Sequence, residues 1–179
     1  ALSAAGVEEA DPSTMISVLA VNFFNHPTLT SHKCIGCQPM VAMQCTFSIK
    51  PDGFFIEYCR TNSLDIDLYY SNEKGHQTKF AEAKIDMKDL LDANLKDKRP
   101  DYIGVVNKHS RVYSLANQHL GILTFRMKPR LPIYTELYNY NLLHGEIEDV
   151  PKNAFDLKYL DKPRKLSVKI CNGYSFSTM

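Results

Sequence analysis

Apolar and polar residues alternate with a period of two along much of this chain, in runs too short for helices. Met43, Cys45, Phe47 and Ile49 are separated by Gln44, Thr46 and Ser48, which gives an extended segment one apolar face. Leu64, Ile66, Leu68 and Tyr70 repeat the pattern against Asp65, Asp67 and Tyr69. Met15 to Phe24 is a β-branched and aromatic run closed by Asn25-His26-Pro27, and Leu29 to Ile35 follows, closed by Gly36 and Pro39. Phe80 to Ile85 and Leu120 to Met127 are further strands, and Val112 to Leu115 is a weaker one. Lys50-Pro51-Asp52-Gly53 turns the chain between two of them.

Helices are few and short. Phe54 to Tyr58 after Gly53 reads as one or two turns, with Phe55 and Tyr58, or Phe54 and Tyr58, buried. Met87 to Leu91 is a second, and Pro132 to Leu143 the longest, with proline at a helix start where its missing N–H costs nothing. Six or seven short strands with turns between them predict an all-β, antiparallel sandwich rather than a parallel α/β sheet.

Gly145 to Lys165 mixes charges with Pro151 and Pro163 and reads as an extended connector. Beyond it Leu166, Val168 and Ile170 alternate with Ser167 and Lys169, a strand too short to stand alone. This tail is expected to pair at a sheet edge, either in the same sandwich or as the opening strand of a neighbouring domain. The organisation is therefore a sandwich over 1–143, an extended connector over 144–165 and a strand-like C-terminal tail over 166–179.

Lys and Arg number 21 against 20 Asp and Glu in 179 residues, a net charge of +1. No global field argues for nucleic acid or an anionic membrane. No apolar run reaches the roughly 18 to 20 residues of a membrane span. Ala1 to Gly6 has neither the basic start nor the apolar core of a signal peptide. Five cysteines (Cys34, Cys37, Cys45, Cys59 and Cys171) are an odd set without disulfide-scaffold density, and they read as reduced thiols of a cytosolic compartment.

Candidate chemistry is sparse. Cys34 and Cys37 form a CxxC, but zinc needs four ligands, usually a second close pair. His26 and His32 have no ligand-like spacing to it, so two small residues flanking a turn glycine is the favoured reading. Asp65 and Asp67 share a strand face, as paired acid and base carboxylates do, yet no activating cation or histidine accompanies them. No phosphate loop and no nucleophile elbow is present. Neither catalytic, metal nor cofactor-binding residues are assigned. Tyr134, Leu137 and Tyr138 share a helix face at i, i+3, i+4 spacing; that face either packs back on the sandwich or, with Tyr140 and Leu142, docks a partner.

Leu64 to Gly75, then Phe80 to Ile85 and Lys88-Asp89-Leu90-Leu91, resemble the second half of a C2 domain. Asp11-Pro12 before the run from Met15 is similar to the Asp-Pro that opens the second C2 strand. The runs Val21 to Ser31, Phe54 to Leu64 and Leu120 to Pro129 are similar to C2 domains of the RPGR-interacting protein and fantom family. The resemblance covers roughly residues 1 to 140, with Phe-Phe-Ile-Glu-Tyr its most specific part. It implies a C2-type β-sandwich in a scaffold of the ciliary base, transition zone or axoneme, with other ciliary proteins as partners. The chain reads as beginning after the first C2 strand, either inside a larger chain or assembly or with that strand supplied by another segment such as Leu166 to Cys171.

Against that family pattern, the usual calcium-binding aspartate positions fall at Tyr70 and Asn72, and Asp11 alone cannot supply the six to eight oxygens of a calcium site. A lysine-rich, lipid-binding face needs Lys or Arg alternating outward on adjacent strands. The strand from Met43 offers Gln44, Thr46 and Ser48 instead, with Lys33 and Arg60 nearby. The expectation is a non-enzymatic, calcium-independent interaction module, with partners met through Tyr134, Leu137, Tyr138, Leu166, Val168 and Ile170. The alternative is a peripheral membrane module that binds phospholipid.

Overall fold

The computed structural model describes residues 16–35, 43–146 and 164–171. Its strands, in chain order, are β1 (Ile16–Asn22), β2 (Leu29–Thr30), β3 (Cys34–Ile35), β4 (Met43–Ile49), β5 (Ser63–Ser71), β6 (Gln77–Asp86), β7 (Val106–Ser114), β8 (His119–Pro129) and β9 (Arg164–Cys171). Three helices interrupt them: α1 (Gly53–Thr61), α2 (Lys88–Leu95) and α3 (Tyr134–Leu143). All pairings among these strands are antiparallel, in the spatial order β2-β1-β5-β6-β7-β8-β9-β4, with β3 also on β1.

Apart from the two-residue strands β2 and β3 on β1, the ladder is shortest in the middle of that order. β6 meets β7 only from Ala81 to Ala83, against Val112 to Ser114. The sheet folds over there, and the apolar faces of β1, β5 and β6 meet those of β4, β8 and β9 in one core. The two ends of the order approach through side chains. Phe23, just past β1, lies 4.8 Å ring to ring from Phe47 of β4, and His26 lies 5.2 Å from the same ring. The expected antiparallel sandwich is thus formed, closed on one side by a short ladder and on the other by aromatic packing.

α1 starts where the turn chemistry places it. The Asp52 carboxylate accepts the Phe55 N–H at 3.0 Å, satisfying a donor that the first helical turn leaves unpaired. Its apolar spacing sends Phe55, Ile56 and Cys59 inward and leaves Phe54 83% exposed. Of the two burial patterns the sequence allowed for this helix, Phe55 with a half-buried Tyr58 is the one adopted. Tyr58 stands at the rim, donating to the Ser63 carbonyl and accepting the Phe24 N–H. That contact holds Phe24 at a φ of 47°, a left-handed conformation that costs a bulky residue roughly 1–2 kcal/mol.

α2 extends past the predicted Met87 to Leu91, through Leu95. Its buried Asn94 donates to the Leu90 carbonyl and accepts the Gly104 N–H, both at 2.8 Å. A Cβ at Gly104 would lie 2.3 Å from the Ala93 backbone, so only glycine lets the returning chain lie this close. α3 begins at Tyr134 rather than Pro132, and the Pro132 carbonyl instead accepts the Arg164 Nε–H at 3.1 Å.

Leu166 to Cys171 is a strand of this sheet. β9 lies between β8 and β4, with Thr46 opposite Ser167 on one side and Lys128 opposite Ser167 on the other. Its first residue, Arg164, is fully buried and reaches Glu136 of α3 at 2.6 Å. Residues 147–163 of the expected connector and 172–179 of the expected tail lie outside the described residues.

Two local expectations are corrected. Tyr70 does not continue the apolar face of Leu64, Ile66 and Leu68 into the core; the β5–β6 register shifts between Leu68 and Tyr69, so Phe80 is skipped and Tyr70 is left half-exposed beside it, 6.2 Å ring to ring. β7 spans Val106 to Ser114 rather than Val112 to Leu115, because β8 templates its polar first half.

Replacing Phe55 with Ala should cost about 3–5 kcal/mol, as for other fully buried rings. Phe54→Ala should stay within about 0.5 kcal/mol, as for exposed positions. Urea unfolding of both variants checks the pair; equal costs would place the two rings in like surroundings. Glu136→Leu, which removes the carboxylate paired with the buried Arg164 guanidinium, should cost about 3–5 kcal/mol. Adding Arg164→Met should recover part of that loss, and a further loss would show that the cation is not what the carboxylate serves.

Candidate protein-interaction surface

The six residues expected to meet partners are all inside the fold. Leu137 packs in the main core with Leu166, Val168 and Ile170, which face it from β9. Tyr134 and Tyr138 stack on each other at 5.8 Å, with Leu95 and Leu142 against them. Docking through any of them would require that packing to open. Tyr140, next along α3, donates to Glu57 of α1 at 2.7 Å and lies 5.6 Å beneath the Arg60 guanidinium. The Glu57 carboxylate beside it pushes the Tyr140 hydroxyl pKa up. Arg60 also pairs with Glu146. This helix face therefore serves contacts within the domain, and Phe54 of α1 and Leu143 of α3 are the large exposed apolar residues of these two helices.

A different surface emerges from the strand register. β4, β7, β8 and β9 contain no Asp or Glu. Their outward positions carry Arg111, Arg126, Lys128, Lys165 and Lys169, all exposed. Across the strands, Asn107, Arg126, Lys169 and Gln44 stand in one row, and Ser48 faces Lys165. None of these five cations makes an ion pair among the described residues. The acidic side chains of the strands sit in the other layer. There Asp67 is held by Lys79 at 2.8 Å and by the Asn22 amide at 2.9 Å, and Asp65 accepts from Ser63. Asp65 and Asp67 thus have separate partners. The expectation that Lys33 and Arg60 are the cations nearest β4 is corrected, because β9 and β8, distant in sequence, are its spatial neighbours.

β4 is also an end strand. It pairs with β9 on one side and with no described strand on the other. Its outward residues are Gln44, Thr46 and Ser48, without the Lys, Pro or bulge that usually guards such an edge.

Compared with known families, residues 2–132 match the one described as the first C2 domain of RPGR-interacting protein 1. The chain belongs to this C2 family. Neither a curated protein nor a solved structure matches it significantly. The sandwich described above is accordingly a C2 sandwich, with α3 and β9 lying beyond the matched residues.

C2 domains that bind calcium gather carboxylates on loops, and the β5–β6 loop does not fit that need. The Asn72 Oδ1 accepts the His76 N–H at 2.9 Å, closing a turn in which Gly75 adopts a φ of 80°. Its one carboxylate is Glu73. Asp11 and Cys37 lie outside the described residues, among which no group of three or more His, Cys, Asp or Glu is placed to hold a metal. No helix of the described residues is long and apolar enough to cross a membrane.

Cys34, Cys45 and Cys59 are free thiols. Burial pushes the Cys45 thiol up to about 11 and the Cys59 thiol up to about 12, from an ordinary 9.0. Cys34 is half-exposed, its S–H directed at the His32 carbonyl at 3.6 Å.

With Cys37 and Cys171 changed to Ser, Cys34 should react with a thiol reagent in the native domain, and Cys45 and Cys59 only on unfolding. The pH dependence carries a sign. The folded state keeps both buried thiols protonated where the unfolded state releases them, so their contribution is complete below pH 9 and falls between pH 9 and about 12. Urea unfolding at pH 8 and 10.5 should show Cys45→Ala/Cys59→Ala losing less stability with pH than the parent; equal losses would overturn the assignment.

Proposed function

We propose that this C2 domain is a non-catalytic, calcium-independent protein-interaction module in a scaffold of the ciliary base, transition zone or axoneme. The observation that carries the reading is the β5–β6 loop, where the Asn72 side-chain oxygen closes the turn and Glu73 is the one carboxylate. The family points to a non-catalytic module, and its description names a protein that interacts with RPGR. That name supports protein partners, other ciliary proteins among them, and a cytoplasmic, ciliary address. The organisation belongs to the same proposal: a sandwich over 1–143, a connector over 144–165, and a tail from 166 whose first residues complete the sheet. A peripheral membrane role has one observation in its favour, the basic outer face of β7, β8 and β9.

Calorimetric titration with calcium up to the millimolar range is expected to be flat, and vesicles containing phosphatidylserine are expected not to sediment the domain, with or without calcium. A micromolar calcium site, or calcium-dependent sedimentation, would replace this reading with the membrane one.

A further inference from the structure

The layer whose described strands carry no Asp or Glu adjoins the edge of β4 that no described strand pairs. An extended chain can add to a free strand edge by backbone hydrogen bonding, with alternate side chains giving specificity. Strands lie about 4.8 Å apart, so a strand added to β4 would run about 9.5 Å from β9 on that spacing. Carboxylate side chains on its outward face would pass over Gln44, Thr46 and Ser48 and meet Lys169 and Lys165, with Arg126 and Lys128 behind them. The other end of the sheet is less suited, since β1 is already covered there by the two-residue β2 and β3. A bilayer would use the cations but has no use for an unpaired strand edge, which is why the geometry favours a peptide.

We propose that an extended acidic segment of a partner protein docks on β4 as an added strand, with its carboxylates on Lys165 and Lys169 and with Arg126 adding positive charge behind them. This rests on the reading of the domain as a protein-interaction module and specifies the chemistry of the partner. Lys165, Lys169 and Arg126 are exposed, so charge reversal there leaves the core intact.

The test uses the full chain and a fluorescent ten-residue peptide alternating Glu with Val and Thr, read by anisotropy. Binding is expected, with Kd rising at least tenfold in Lys165→Glu/Lys169→Glu and rising steeply with salt. A peptide with Lys in place of Glu should not bind. N-methylation of alternate peptide amides, in one of the two registers, should abolish binding while leaving every charge in place, and circular dichroism should show the variants folded. Binding indifferent to both N-methylated registers would overturn strand addition. Absence of binding up to millimolar peptide would overturn the proposal while leaving the interaction-module reading intact, provided that phosphatidylserine vesicles also fail to bind. Vesicle binding lost in Lys165→Glu/Lys169→Glu would overturn both.

Discussion

β9 is bonded on both sides, and that double ladder is what the sandwich depends on. From Arg164 to Ile170 it pairs with β4, and from Leu166 to Cys171 with β8. β4 has no other described strand partner, so its place in the sheet exists only through β9. Leu166, Val168 and Ile170 bring three fully buried side chains to the core at the same time. Because Thr46 and Ser167 lie so far apart in sequence, this ladder closes a long loop before its bonds and burial compensate, and contacts of that kind form late and slowly. Arg164 anchors the near end of the strand, where a buried guanidinium ties it to the Pro132 carbonyl and to Glu136.

The opposite side of the sandwich is closed by different means. Phe23 contacts Phe47, Phe55 and Tyr58, and Phe24 contacts Phe55 and Tyr58. Rings bury much area for each residue and are worth a further 0.5–1.5 kcal/mol or so in edge and tilted pairs. They therefore seal a gap where no hydrogen-bond ladder runs. α1, delivered by the Asp52 cap, supplies two of those rings. The strained backbone of Phe24 is sustained by the Tyr58 hydroxyl and ring. Packing of α1 against α3 through Glu57, Tyr140 and Arg60 then occupies the aromatic face that a partner would otherwise find.

A net charge of +1 conceals a strong segregation. Strands β5 and β6 hold all four carboxylates found in strands, whereas β4, β7, β8 and β9 hold none. Exposed charges act over about 10 Å at moderate ionic strength, so a partner at one layer experiences that layer and not the total. The basic layer ends at β4 in a neutral edge that no described strand pairs, the setting that the proposed extended acidic segment would use.

Much of the fold was readable from local pattern. The alternation in β4, β5, β6 and β8, the Asp52-Gly53 start of α1 and the family resemblance of Phe54 to Leu64 are all short-range features, and each follows from side-chain period or turn chemistry. The sequence also contained a strand at Leu166, but neither its neighbours nor its register, since pairing partners are chosen by the assembled sheet. Tertiary structure alone decided that Tyr134 and Tyr138 lie inside, that β7 takes up polar Asn107 to Arg111, and that a bulge turns Tyr70 aside. It also decided the candidate surface. Lys165, Lys169, Arg126 and Arg111 are scattered along the chain, and only the antiparallel register of three strands brings them to one face. A charge pattern that spans strands has no period within any one of them, and so leaves no local trace to read.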